Sequence, residues 1–181
     1  MPATTLLVID LQTGMFDGVC FPAIHNSRGL IDATIRVLAH ARSSGTPVVF
    51  VQHCAAEGPL KKGERGWSVL ADFTPLESEI ETKVEKEKAD SFENTHLLRI
   101  LADSKIEHLV ICGAQSDQCV AATTLSAIEK GFRVSVVSDA HSTWSSDGID
   151  AAEIIDTQNS KFAQAGATLV SSLDLNFLKN A

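Results

Sequence analysis

The sequence predicts an α/β fold: a doubly wound, mostly parallel six-stranded sheet with helices on both faces. Two observations predict it. Runs of β-branched residues and leucine recur without strict polar alternation, as in strands covered on both faces. Between them lie stretches with apolar residues at helical spacing, so strand and helix alternate. A chain of 181 residues lies within the usual size of one domain and can bury a sizeable core, so residues 1–181 read as a single domain.

The elements follow in order. Residues 5–10, TLLVID, read as the first strand. Residues 26–45 read as a helix: Ile31, Ile35 and Leu38 fall at i, i+4 and i+7, and Gly45 closes it. Residues 47–53, PVVFVQH, are the second strand. Residues 54–79 form one long connection rich in glycine and charge, a length that is usually functional or mobile. Residues 80–86, IETKVEK, are a weaker strand candidate, and Leu97, Leu98 and Leu101 mark a second helix. HLVIC at residues 108–112 is a strand, and residues 119–130 are a helix closed by Gly131. RVSVVSD at residues 133–139 is a strand, residues 147–166 a helix closed by Gly166, and ATLVSS at residues 167–172 the last strand. No repeat, low-complexity tract or linker interrupts this order.

Composition narrows the function classes. Apolar residues make up 44% and charged residues 21%, ordinary for a soluble globular protein. The net charge of -8 argues against nucleic acid or an anionic membrane as partner and leaves a small-molecule substrate open. No segment approaches the ~18 consecutive apolar residues of a membrane span. The N-terminal MPATTLLVIDLQ lacks a basic region and reads as a strand, not a signal peptide. Cys20, Cys54, Cys112 and Cys119 include no C-x-x-C pair, so free thiols and a cytoplasmic location are expected.

In open parallel sheets, ligands bind beyond the carboxyl ends of the strands. At those ends stand Asp10, the pair Gln52 and His53, Lys86, the stretch GAQSDQC ending in Cys119, and Asp139 followed by Ala140 and His141. A carboxylate, a lysine and a cysteine therefore converge on one crevice. Each has a plainer reading. Asp10 could be a turn residue, and Lys86, within KVEKEK, part of a solvated charged face. Cys112 reads as inert core, and Cys20 and Cys54 as incidental. Cys119 differs, because small polar residues precede it and a helix follows. Backbone N–H groups and the helix dipole at such a start stabilise a thiolate, and a nearby Lys86 would lower the thiol pKa further.

These residues resemble the isochorismatase-like cysteine hydrolases, which include nicotinamidases and N-carbamoylsarcosine amidohydrolase, over nearly the whole chain. LLVIDLQTGMF resembles the opening strand with its catalytic aspartate, which places that role on Asp10. VEKEKADSFENTHLLRIL resembles the lysine segment, where Lys86 and Phe92 have the family's six-residue spacing. LVICGAQSDQCVAATTLSAIEKG resembles the nucleophile segment and assigns Cys119. The resemblance implies a Rossmann-like sheet and a cis peptide joining Ala114 to Gln115. It also implies an oxyanion hole from the N–H groups of Gln115 and Cys119.

Nicotinamidases of the family carry an Asp-x-His and a further histidine after the second strand. Here Val51 stands in place of that aspartate, and no second histidine follows His53 in the loop. A stable zinc site needs three or four ligands, so neither a metal nor another cofactor is expected, and nicotinamidase activity is not expected. The resemblance is closest to metal-free members whose loop residues close the pocket. It points to Trp67, with Phe73, and to Gln12, Phe16, His53, Phe92 and Trp144 as pocket candidates, with ordinary packing as the other reading of each. Lys61, Lys62 and Arg65 would attract an anion or line a solvated loop. Phosphate-loop, dinucleotide and serine-hydrolase motifs are absent from the sequence.

The expected activity is cysteine-dependent hydrolysis of a small amide or related C–N bond through a thioester. The alternatives are vinyl-ether hydrolysis of the isochorismatase type, or a non-catalytic binding protein on the same fold. A redox role for Cys119 lacks a neighbouring resolving cysteine. A homo-oligomer, dimer or larger, is implied by the resemblance alone.

Overall fold

The structure is a computed structural model that describes residues 3–177. Six strands form one sheet: β1 (Ala3–Ile9), β2 (Val48–His53), β3 (Glu81–Lys86), β4 (Ile106–Ala114), β5 (Arg133–Ser142) and β6 (Thr168–Val170). All pairings are parallel, in the order β3-β2-β1-β4-β5-β6. Among the described residues four α-helices accompany them: α1 (Ser27–Ser44), α2 (Leu97–Asp103), α3 (Cys119–Glu129) and α4 (Ala151–Gln164).

Alternation inside each apolar run builds two cores. Successive strand side chains point to opposite faces. Leu6 and Val8 of β1 therefore join Leu30, Val37 and Leu38 of α1 on one side. Leu7 and Ile9 join Leu97 and Leu101 of α2, Val120 and Ala127 of α3, and Phe162 of α4 on the other. Each fully buried side chain of this size stabilises by roughly 1.5–3 kcal/mol, several times a typical exposed ion pair. Burial on both faces, rather than surface charge, therefore holds the central strands.

The edges explain where the sequence signal was weak. On β3, Val84 and Lys86 are buried while Lys83 and Glu85 are exposed. That alternation belongs to an edge strand, and it turns Lys86 to the same side as Val84. At the other edge, β6 keeps only Thr168–Val170 of the run expected over residues 167–172, with Thr168 and Leu169 exposed. β1, β4 and β5 are longer than expected, while β2 starts one residue later, at Val48. β4 continues through Gly113 and Ala114, which pair with His141 and Ser142 at the extended end of β5. Gly113 has φ +134 and packs so closely on β1 that a Cβ there would run into the Ile9 carbonyl oxygen. Only glycine fits that approach.

The connection over residues 54–79 is pinned down. It contains two 3-10 turns, Arg65–Trp67 and Ala71–Phe73. The Trp67 carbonyl accepts from Gln12 Nε2 at 2.8 Å and from Gln52 Nε2 at 2.6 Å. Leu70 N donates to Leu11 O at 3.0 Å. Phe73 is fully buried in the α1-side core, so it packs the fold instead of closing a pocket. No helix among the described residues is long and apolar enough to cross a membrane.

Candidate active site

The strand order reverses direction between β1 and β4, and the crevice at their carboxyl ends is where such sheets take ligands. Asp10 follows β1 with φ 51, a left-handed conformation that aspartate tolerates better than most residues. Its N–H is held by Val51 O of β2 at 2.9 Å. Lys86 is the last residue of β3, and Cys119 the first of α3. The structure brings these three side chains together. Lys86 Nζ lies 2.7 Å from Asp10 Oδ2, 3.1 Å from Cys119 Sγ and 3.0 Å from the Lys88 carbonyl oxygen. An ammonium has three protons, and each has a partner here. The side chains of Asp10 and Lys86 are both 0% exposed. Asp10 Oδ1, also buried, accepts no hydrogen bond from a described residue.

Electrostatics assign the charges. Burial opposes the Lys86 charge, but Asp10 and Cys119 outweigh it and hold the ammonium above its ordinary range. The Cys119 thiol goes the other way from the expectation of a lowered pKa. Burial, reinforced by the Asp10 charge, pushes it up to about 12, and the attraction of Lys86 is not enough to reverse this. The resting arrangement is an ammonium–carboxylate pair beside a neutral thiol. The sequence indicated the helix start and the lysine, but not the depth at which the sulfur lies.

Between β4 and α3 the chain makes a tight loop. The peptide joining Ala114 to Gln115 is cis. Neither the Gln115 N–H nor the Cys119 N–H donates to another described residue. Gln115 O instead accepts from Gln118 N at 3.2 Å and Val120 N at 3.1 Å. The loop is fastened to the end of β5: Ser116 N donates to Ser142 O at 2.9 Å, and Thr143 Oγ1 to Asp117 Oδ1 at 2.6 Å. Ser116 and Thr143 carry no motif, so the sequence offered no signal for this clamp.

The pocket candidates divide. His53 pairs with Lys86 across β2 and β3. Its buried Nδ1 has no hydrogen-bond partner among the described residues. Burial first, and then the Lys86 charge, lower its pKa and favour the neutral ring. Trp67 lies next to it in space, donating from Nε1 to Cys54 Sγ at 3.2 Å. A cavity of about 310 Å³ lined by Cys54, Lys86, Glu87, Lys88 and Asn94, among others, opens at the end of β3.

Other candidates are corrected. Gln12 is fully buried and its amide is committed: Nε2 donates to His53 O and Trp67 O, and Oε1 accepts from His53 N. It ties the pocket loop to β1 and has no group left for a substrate. Phe92 packs in the α2–α4 core, stacked on Phe132 with centroids 6.0 Å apart. Phe16 and Trp144 pack against the α1-side core, and Trp144 Nε1 donates to Pro22 O at 2.8 Å. Lys62 pairs with Glu85 at 2.7 Å and Arg65 with Asp17 at 3.6 Å, both cations being largely exposed on the solvated loop. Asp139 accepts from Ser172 N and Oγ at 2.7 and 2.6 Å and takes no part in the cluster. Among the described residues, no group of three or more His, Cys, Asp and Glu side chains is placed to hold a metal ion.

Comparison with known proteins places the chain in a family. The isochorismatase domain model matches residues 4–172. Over 140 residues the chain is 35% identical to streptothricin hydrolase of Streptomyces noursei, covering 77% of this chain and 49% of that protein. The chain thus spans about half the length of that relative. It is also 35% identical over 144 residues to an uncharacterized isochorismatase family protein of Bacillus subtilis, covering 77% and 78% of the two chains. The crystal structure of an isochorismatase from Pseudomonas putida matches with a TM-score of 0.88 at 26% identity, covering 96% of this chain and 90% of that one. With the family match spanning nearly the whole chain and the fold agreeing with it, this protein belongs to the isochorismatase family.

Proposed function

We propose that this protein is a cysteine hydrolase of a small amide or related C–N bond, working through a thioester on Cys119. One observation carries the reading: a single buried ammonium, Lys86 Nζ, bridges the carboxylate of Asp10 at 2.7 Å and the thiol of Cys119 at 3.1 Å. A base, a nucleophile and a cation joining them are the parts that covalent acyl transfer needs.

The steps follow from the atoms present. Asp10 takes the proton from Cys119 Sγ, and the thiolate attacks the substrate carbonyl carbon. The oxyanion that forms is received by the free N–H groups of Gln115 and Cys119; one such donor contributes about 10²- to 10³-fold in rate. The protonated Asp10 gives its proton to the leaving nitrogen as the C–N bond breaks, which leaves a thioester and a free amine. Asp10 next takes a proton from water, the hydroxide adds to the thioester, and the thiolate leaves and recovers the proton. On this reading His53, in register with Lys86, and Trp67, bonded to Cys54, are candidate substrate contacts. The name of the streptothricin hydrolase relative agrees with hydrolysis as the reaction class.

The test uses p-nitrophenyl acetate as a minimal acyl donor. The expected result is a burst of p-nitrophenolate, with the acetyl group found on Cys119 by peptide mass spectrometry and the burst abolished in Cys119→Ala. Acetyl found on another residue, or an unchanged burst in Cys119→Ala, would refute the covalent role of this thiol.

A further inference from the structure

We infer that His141 is a positioning residue for the oxyanion-binding loop, acting through Ser116. The inference rests on the acyl-transfer reading above and adds to it a residue remote from the reacting atoms.

The loop over residues 115–118 belongs to no strand or helix, yet it must aim the Gln115 N–H at the point faced by the Cys119 N–H at the start of α3. Only its fastenings set that aim. One is a side-chain bond sealed inside the protein: Ser116 Oγ lies 2.8 Å from His141 Nδ1, with the two residues 0% and 4% exposed. The far ring nitrogen, Nε2, lies 3.0 Å from Asn159 Oδ1 on α4. The amide is itself oriented, because Asn159 Nδ2 donates to Ser138 O at 3.4 Å. Phe162 meets the imidazole edge-on at 5.8 Å and fixes the plane of the ring.

These contacts give the chain of bonds one direction. A carboxamide oxygen can only accept, so His141 Nε2 carries the proton and donates to Asn159. Nδ1 is then the acceptor, and the Ser116 hydroxyl donates to it. Burial lowers the His141 pKa, which keeps this neutral tautomer in place. The result is a directed strut from α4, through the end of β5, to the residue next to Gln115. A residue that only filled space would need no such orientation at both nitrogens. Positioning of this kind acts on the transition state, where small misplacements of a donor are felt strongly.

Two probes of the same thiol separate aim from reactivity. Acetaldehyde adds to Cys119 as a hemithioacetal, with the thiol proton passing to the former carbonyl oxygen, which then sits at the oxyanion position. Iodoacetamide alkylates the sulfur by displacing iodide at carbon and builds no oxyanion. The variants are Ser116→Ala, His141→Leu and His141→Asn, the last keeping an acceptor near the Nδ1 position. Acetaldehyde affinity is expected to weaken on the order of 10- to 100-fold in Ser116→Ala and His141→Leu. It should recover in His141→Asn, with the alkylation rate within about twofold of the parent throughout. Unchanged acetaldehyde affinity in Ser116→Ala and His141→Leu would overturn the inference. So would parallel losses with both probes, since those would mark a role in holding the fold. A parent protein that takes iodoacetamide on Cys119 but no acetaldehyde would sink the acyl-transfer reading, and this inference with it.

Discussion

Replacing Lys86 with methionine tests how the buried site is held together. The side chains of Lys86 and Asp10 are 0% exposed, so water does not screen their 2.7 Å pair. Methionine fills most of the same volume but removes the charge. Asp10 Oδ1 already lacks a hydrogen-bond donor, so the loss leaves the whole carboxylate bare in the interior. The Lys88 carbonyl loses its partner as well. Removing one member of a buried ion pair costs about 3–5 kcal/mol, because the other charge stays behind uncompensated. For a chain of this size, each kcal/mol moves the melting temperature by roughly 2–4 °C, so Lys86→Met should melt roughly 6–20 °C below the parent. The decisive comparison is Asp10→Asn/Lys86→Met. Asparagine also tolerates the φ of 51 at position 10, and the double variant buries no lone charge. It should regain about 2 kcal/mol relative to the sum of the single losses. Urea denaturation of the four proteins measures this cycle. Strictly additive losses, or a Lys86→Met midpoint within about 1 kcal/mol of the parent, would refute the claim that a tightly coupled pair organises the site.

Four further outcomes follow from the same geometry. Asp10→Asn should speed iodoacetamide labelling of Cys119 near neutral pH, because the Asp10 charge raises that thiol pKa while Lys86, which lowers it, remains; Cys112, fully buried with its pKa pushed up to about 12, should label only on unfolding. Glu81, though burial opposes its charge, is held below the usual carboxylate range by Arg42, at 2.7 and 3.1 Å, and by the Leu76 N–H. Its contribution is therefore present above the unfolded pKa of about 4.3 and is lost as pH falls through the lower folded value. Glu81→Gln should cost about 1–2 kcal/mol at neutral pH and little in acid, read from urea melts at both. Gly113→Ala should destabilise by at least about 3 kcal/mol in thermal melts, because a methyl there meets the Ile9 backbone and no flexible side chain can yield.

How much of this was legible in the sequence depended on what each residue answers to. The central strands were readable because two-sided burial leaves continuous runs such as LLVI and VVFV. Their true ends were not, since the extension of β4 to Ala114 depends on Gly113 meeting Ile9, a contact 104 residues apart in sequence. β3 was half-legible, because an edge strand exposes Lys83 and Glu85 and so looks like a charged surface. Asp10, Lys86 and Cys119 were legible as strand-end and helix-start groups with chemistry to offer. The functions of glutamine and phenylalanine were not. Gln12 has the composition of a substrate contact and serves as a clamp, because its two polar atoms meet the backbone of His53 and Trp67. Ser116 and His141 both stood near strand ends in the sequence, but nothing marked them as partners, since a hydrogen bond between a loop and the end of β5 answers to tertiary position alone.

The high thiol pKa and the proposed nucleophile fit together once the count of charges is followed. A pKa of about 12 describes release of the Cys119 proton to bulk water, which would put a second anion beside Asp10 in a buried site. Transfer of that proton to Asp10 is a different step. Before it, the site holds one cation and one anion, Lys86 and Asp10; after it, one cation and one anion, Lys86 and the Cys119 thiolate. No net charge is created in the interior, so most of the burial penalty that lifts the pKa does not apply to the transfer. Lys86 sits 2.7 Å from one anion and 3.1 Å from the other, and it keeps a partner throughout. The same burial that makes the isolated thiol inert makes this internal exchange, rather than release to water, the favoured route to a thiolate in the parent. Asp10→Asn closes that route but also removes the charge that raises the thiol pKa, so release to water and alkylation become easier, while hydrolysis of an amide, which needs the proton handed on to the leaving nitrogen, is lost. An Asp10→Asn variant that alkylated faster and still hydrolysed at the parent rate would show that the carboxylate is not the proton carrier.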